Sequence, residues 1–166
     1  MYRADEGLGF IMKFENVAWY EDGKVRILDR RIYPIRIEYV TCIKHEEVAK
    51  AIADMVTQSG GPYTAAGMGM VLACYESINK KEKERIEFLE KASYTLSHAR
   101  PTTSAKMQRY TGSVLEAALT AIKEGKDVVL AAQDKALTDL NDRYKKFEPI
   151  GEIIASLIPK NGTILT

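Results

Sequence analysis

Two periods of apolar residues divide the chain. Between residues 14 and 42 the apolar positions recur at the spacing of strands. Val17, Trp19 and Tyr20 lead to Asp22-Gly23, and Val25, Ile27 and Leu28 follow. An Asp-Gly pair between two such runs predicts a hairpin, because the two-residue turns that match strand twist need positive φ at their central positions. Ile35, Ile37, Tyr39 and Thr41 alternate with Arg36, Glu38 and Val40. That alternation predicts a third, half-buried strand, with Pro34 at its beginning, where a strand tolerates it.

After Cys42 the period lengthens to that of helices. Val48, Ile52, Met55 and Val56 predict a helix over 45–58, ended by Ser59-Gly60-Gly61-Pro62. A second helix, over 63–78, is unusually small-sided: Ala65, Ala66, Gly67, Gly69 and Ala73 let a neighbour approach its backbone closely. Residues 80–96 predict a charged amphipathic helix. A fourth helix follows Pro101 over 102–123, with Met107, Val114, Leu115, Ala118 and Ile122 on one face and Gly125 as its stop. A fifth spans 127–147 and continues over 151–158 beyond Pro149. Pro159 to Gly162 form a turn, and Thr163-Ile164-Leu165-Thr166 read as the first residues of a buried strand. The fold class is therefore α+β: a small N-terminal antiparallel β-sheet followed by a helical bundle. The expected domains are an N-terminal extension (1–13), the hairpin and bundle (14–160), and the opening of a further α/β domain (161–166).

Composition narrows the function. Lys plus Arg is 24 against Asp plus Glu at 23, which gives no duplex-sized phosphate footprint and no reason to expect a nucleic-acid partner. No apolar run reaches the length of a membrane span. Cys42 and Cys74 are the only cysteines, and they are far apart. That suits a reducing, cytoplasmic setting better than a disulfide framework. Neither belongs to a zinc-like spacing of Cys and His.

Three segments carry candidate chemistry: Leu28-Asp29-Arg30-Arg31-Ile32-Tyr33-Pro34 followed by Ile37 to Val40, Asp54 to Pro62 with the small-sided helix behind it, and Ala99 to Thr102. Ala99-Arg100-Pro101-Thr102 places an arginine just before a helix, where free N–H groups, the helix dipole and a guanidinium favour an anion. The plain alternative is a capping loop with a solvated arginine. Ser59-Gly60-Gly61 turns into the small-sided helix, as a phosphate loop requires; a tight helix–helix connection needs the same glycines. His98 lies two residues before Arg100 and reads as a loop histidine. The basic cluster 143–146 reads as a solvated helix face.

In this order the segments resemble a family. Trp19 to Pro34 is similar to the "WxDGxLxLLDQRxLP" hairpin that opens the methylthioribose-1-phosphate isomerases. Asp54 to Pro62 is similar to their "xDMxVRGAPAIG" helix end, Ala99 to Thr102 to their "ARPTAVNL" turn, and Gly162 to Thr166 to the first strand of their Rossmann-like domain. The resemblance spans residues 15–166 and extends to the regulatory subunits of initiation factor 2B, which share the fold. It implies a sugar phosphate bound by Arg100 and by Ser59, Gly60 and Gly61, in an aldose–ketose isomerisation that belongs to methionine salvage. Ser59 replaces the family's RGAP arginine, and Ala105 replaces the asparagine of the ARPT segment. The resemblance implies no metal and no organic cofactor. It puts the catalytic Cys and Asp in the C-terminal domain, so this chain is expected to bind phosphate without catalysing alone. Its expected partners are a C-terminal Rossmann-like half and a second copy of itself. The alternative is a non-catalytic assembly or regulatory protein like the initiation factor subunits. Without a C-terminal half, Ala65, Ala66, Met68, Met70, Met107 and residues 163–166 are expected to form one exposed apolar patch.

Overall fold

The computed structural model describes residues 10–163. Its elements are a single helical turn α1 (Phe14–Val17), strands β1 (Ala18–Glu21), β2 (Lys24–Leu28) and β3 (Tyr39–Cys42), then helices α2 (His45–Ala53), α3 (Gly61–Glu76) and α4 (Glu82–Ser97), a 3₁₀ turn (Pro101–Thr103), and helices α5 (Ser104–Glu124), α6 (Val128–Tyr144) and α7 (Phe147–Leu157). This is the α+β arrangement expected: a three-stranded antiparallel sheet in the order β1-β2-β3, followed by a bundle. The strand expected at 163–166 lies outside the described residues apart from Thr163, which has no regular structure.

The hairpin forms as the Asp-Gly pair dictates. Asp22 and Gly23 both take positive φ, and Tyr20 pairs with Val25 across the turn. Gly23 is required twice over, because a Cβ there would run into the ring of Tyr75 on α3. Val17 precedes the sheet, on α1, rather than opening the first strand.

The third strand differs from expectation in length and in face. Ile35 is 88 % exposed and Ile37 53 %, while Cys42 is buried and Val40 packs against the core. β2 ends at Leu28, whose partner is Tyr39, so residues before 39 have little to pair with beyond one bond from Asp29 N to Glu38 O (2.9 Å). Val40 and Cys42 sit opposite Ile27 and Val25, and this pairing fixes the inward parity. Residues 29–36 turn instead, held by Arg31, which donates to both Asp29 oxygens (2.8 and 2.6 Å) and holds that carboxyl below its ordinary range.

The bundle is organised around α3. This helix is apolar on all sides, and such a helix must be enclosed. It packs against α2, α4, α5, α6 and the sheet. Ala65, Ala66, Met68 and Met70 are buried inside the chain, as is Met107 on α5. The patch expected from these residues is therefore not a surface. Gly69 is where helices approach most closely: a Cβ there would stand 2.8 Å from Leu96 Cδ2 and 3.0 Å from Val48 Cγ1. Glu76, at the far end of α3, accepts from the backbone N–H of His45 (2.8 Å) and meets its Nδ1 (2.9 Å). A carboxylate from α3 thus helps to cap α2.

Gly125 closes α5 in the left-handed conformation, as expected. Asp127 then caps α6 by accepting from the N–H groups of Val129 and Leu130. The helix expected to resume after Pro149 begins earlier, at Phe147, with Pro149 in its first turn. There a missing N–H costs nothing. None of α7's residues is buried. Among the described residues no helix is long and apolar enough to cross a membrane.

Candidate functional site

α2 ends at Ala53, and the chain must reverse before α3. It does so through two non-glycine residues at positive φ, Met55 (61°) and Ser59 (57°). Such residues are uncommon and cost free energy that surrounding contacts must offset. Those contacts are specific. Val56 N donates to Ala51 O (3.0 Å), Arg30 N donates to Val56 O (2.8 Å), and Gly61 N donates to Gln58 O (2.9 Å). Val56 is thereby driven into the core while Ser59 stays exposed. α3 then starts at Gly61 with Pro62 as its second residue and no side-chain cap.

Ser59, Gly60 and Gly61 line one cavity of about 200 Å³, shared with Arg30, Arg143 and Phe147. Thr57 lies beneath the turn. It is wholly buried, and its hydroxyl has no hydrogen-bond partner among the described residues. A Cβ on Gly61 would collide with that hydroxyl, so the close approach requires glycine.

Arg100 stands in extended conformation before the 3₁₀ turn, and its carbonyl accepts from Thr103 N (3.2 Å). It does not line the cavity. It does share an end of the bundle with it. Tyr63, in the first turn of α3, has Lys106 Nζ 5.7 Å from its ring centroid and stacks on Tyr110 at 6.0 Å. Lys106 and Tyr110 belong to the first two turns of α5. The first turn of α3 and the first two turns of α5 are therefore neighbours. His98 is engaged structurally: its ring stacks on Tyr94 at 4.0 Å, and its nitrogens meet Tyr94 O (2.9 Å), Ser97 Oγ (3.0 Å) and Gln108 (3.2 Å).

The sequence assigns no ligand role to Arg143, and it offers Arg30 only as part of the Leu28–Pro34 segment. Arg143 was expected on a solvated face, yet it reaches Gly60 O (3.3 Å) and lies 4.6 Å from the Tyr63 ring centroid. The signal was present in α6. Ala132, Ala136 and Leu140 define its buried face, and residues 143 and 144 continue it.

Neither cysteine is placed for chemistry. Cys42 and Cys74 are both buried, and burial pushes their thiols up to about 11 and about 12. His45, Glu46 and Glu76 bring three potential ligand atoms within 4.8 Å of one another, and the His45–Glu76 contact already serves the capping of α2.

No family model matches the chain. Individual relatives do. The chain is 31 % identical over 157 residues to the methylthioribose-1-phosphate isomerase of Chloroflexus aurantiacus, a match covering 90 % of this chain and 43 % of that protein. To the enzyme of the same name from Natranaerobius thermophilus it is 35 % identical over 104 residues, covering 58 % of this chain and 30 % of the relative. Among solved structures, the translation initiation factor 2B subunit delta of A. fulgidus superposes with TM-score 0.63 at 26 % identity, covering 74 % of this chain and 36 % of that one. The 5-methylthioribose 1-phosphate isomerase of Pyrococcus horikoshii superposes with TM-score 0.67 at 24 % identity, over 86 % and 40 %. The shared fold is a small antiparallel sheet joined to a helical bundle. The chain belongs to the superfamily of methylthioribose-1-phosphate isomerases and initiation factor 2B subunits. It spans less than half the length of the relatives it matches.

Proposed function

We propose that this chain is the N-terminal, phosphate-binding part of a methylthioribose-1-phosphate isomerase-like aldose–ketose isomerase. Arg100 and the Ser59-Gly60-Gly61 turn meet the phosphate, and the bond-making groups come from a C-terminal Rossmann-like partner. The observation that carries this reading is the adjacency of the two N-terminal turns, α3 and α5, each beside a segment that the resemblance assigns to phosphate. Arg100 makes no ion pair within the described residues, so its charge is available. The buried, protonated thiols of Cys42 and Cys74 support a non-catalytic role for this part.

The test is a titration of the chain with methylthioribose 1-phosphate, followed by amide chemical shifts. The expected result is saturable shifts at 59–61 and 100–103, with affinity reduced about tenfold to a hundredfold in Arg100→Ala. That range is the worth of a hydrogen bond to a charged group, about 1.5–3 kcal/mol. Isomerase turnover by the chain alone would overturn the non-catalytic half of the proposal. A second reading, an assembly or regulatory protein like the initiation factor subunits, is favoured by Ser59 and Ala105, which replace ligand-type residues. It predicts no shifts with any pentose phosphate.

A further inference from the structure

Arg143 occupies a place that its own electrostatics oppose. Its guanidinium lies against the first turn of α3. It donates to Gly60 O at 3.3 Å, and a Cβ on Gly60 would collide with its other terminal nitrogen. A helix N-terminus carries partial positive charge, so a cation parked there is adverse unless something negative stands between. Among the described residues no carboxylate forms an ion pair with Arg143 or with Arg30. Asp139 and Asp142 line an adjoining cavity with Arg143, but Asp139 is engaged by Lys135 at 2.6 Å and by the Ser113 hydroxyl. Aromatic faces hold Arg143 instead: Tyr63 at 4.6 Å, Phe147 at 5.7 Å and Tyr144 at 5.9 Å from ring centroid to guanidinium carbon.

The cavity's walls are otherwise largely apolar, with Ile11, Met12, Val17 and Phe147 among them, and among the described residues they carry no carboxylate. Arg30 lines it too, 5.4 Å over the Tyr33 ring, and its Nε is buried with no hydrogen-bond partner among the described residues. Beneath the turn, outside the cavity lining, wholly buried Thr57 sets against Gly61 a hydroxyl with no hydrogen-bond partner among the described residues. Buried donors without acceptors are costly, and two guanidinium groups beside a helix N-terminus are the donor set that recognises a phosphoryl group.

The geometry points to Arg143, with Arg30, as the guanidinium pair that clamps the phosphoryl group at the Ser59-Gly60-Gly61 turn. It takes over from a helix distant in sequence the role left open where Ser59 stands in place of an arginine. This rests on the phosphate-binding reading above and adds to it the residues that hold the phosphate at this turn.

The test is amide-shift titration of the full chain with inorganic phosphate and with ribose 5-phosphate, in the unaltered protein and in Arg143→Gln, Gly60→Ala and Arg100→Ala. Gly60 has an ordinary helical backbone conformation, so alanine fits the main chain there and displaces only the Arg143 guanidinium. Arg143→Gln and Gly60→Ala are each expected to weaken both ligands about tenfold or more. Phosphate affinity unchanged in both variants, with loss only in Arg100→Ala, would overturn the role of Arg143 and leave the phosphate-binding reading standing. No saturable response in the unaltered chain would end both. Should Arg143→Gln fail to fold, Gly60→Ala decides together with Arg143→Lys. The lysine variant keeps the charge but loses the fork, and it is expected to bind more weakly than the unaltered chain.

Discussion

α3 and α7 are both strongly apolar helices, and their fates are opposite. α3 buries every residue except Tyr63, Tyr75 and Glu76; α7 buries none. The difference lies in how apolar residues are arranged, not in how many there are. α3 carries small and medium side chains all round, so neighbours can close on it from every side. α7 gathers Ile150, Ile153, Ile154 and Leu157 with Glu148 and Glu152 among them, the pattern of a helix made to be covered on one face. All four of those apolar side chains are exposed, and Leu157 is 77 % so. Burial all round marks the centre of a core, and α7 lies at its edge with its apolar side chains exposed.

The comparison sharpens most under thiol chemistry. Cys74 sits on α3 with its thiol pushed from 9.0 to about 12, which leaves about a thousandfold less thiolate than an ordinary cysteine at neutral pH. A cysteine placed on α7 by Ser156→Cys should react with a disulfide reagent at the ordinary rate, while Cys74 reacts at least about a thousandfold more slowly. Comparable rates would mean that α3 opens readily. The same shift sets a pH dependence. A raised folded-state value gives a stability contribution that is complete below pH 9.0 and is lost as pH rises through about 11 for Cys42 and about 12 for Cys74. Urea midpoints should therefore hold up to about pH 9 and fall above it.

Truncation comes next in size. Leu72→Ala on α3 should cost about 2–5 kcal/mol in urea unfolding, since Leu72 is wholly buried and leaves a cavity. Leu157→Ala should change stability by less than about 0.5 kcal/mol. A large loss at Leu157 would show that α7 is already covered in solution.

The smallest expected effect on folding is the most telling about assembly. Ile153→Ser with Leu157→Ser should leave the unfolding free energy of the monomer within about 0.5 kcal/mol of the original. Sedimentation over a concentration series should show association in the unaltered chain and less of it in this variant. An unaltered chain that stays monomeric at every concentration would show that α7's apolar face drives no association with a second copy.

The hairpin, the helix order and the Gly125 stop were legible because each rests on local chemistry: a two-residue turn, a helical period, a left-handed cap. The β3 face was not. Ile35 and Ile37 alternate as strand residues should, but parity is decided by pairing with Ile27 and Val25, and no local pattern contains that. The small residues of α3 announced a close approach, which Gly69 makes. What closed on them was the chain's own bundle. At the candidate site the turn and Arg100 stood out as motifs. Arg143 did not, because it meets Gly60 across 83 residues and looked like one cation in a basic cluster. Arg30 lies within the Leu28–Pro34 segment but has no motif of its own there, beside an Arg31 that is tied to Asp29.

The central position of α3 also governs how the chain comes apart. It touches the sheet, α2, α4, α5 and α6, so none of these can leave without stripping part of it bare. The hairpin itself is pinned beneath Tyr75. Sheet and bundle therefore cannot melt as separate units. Amide protons in the middle of α3 should exchange with solvent only when the whole molecule opens, at a rate that tracks global stability, while those of α7 exchange through fraying of that helix alone.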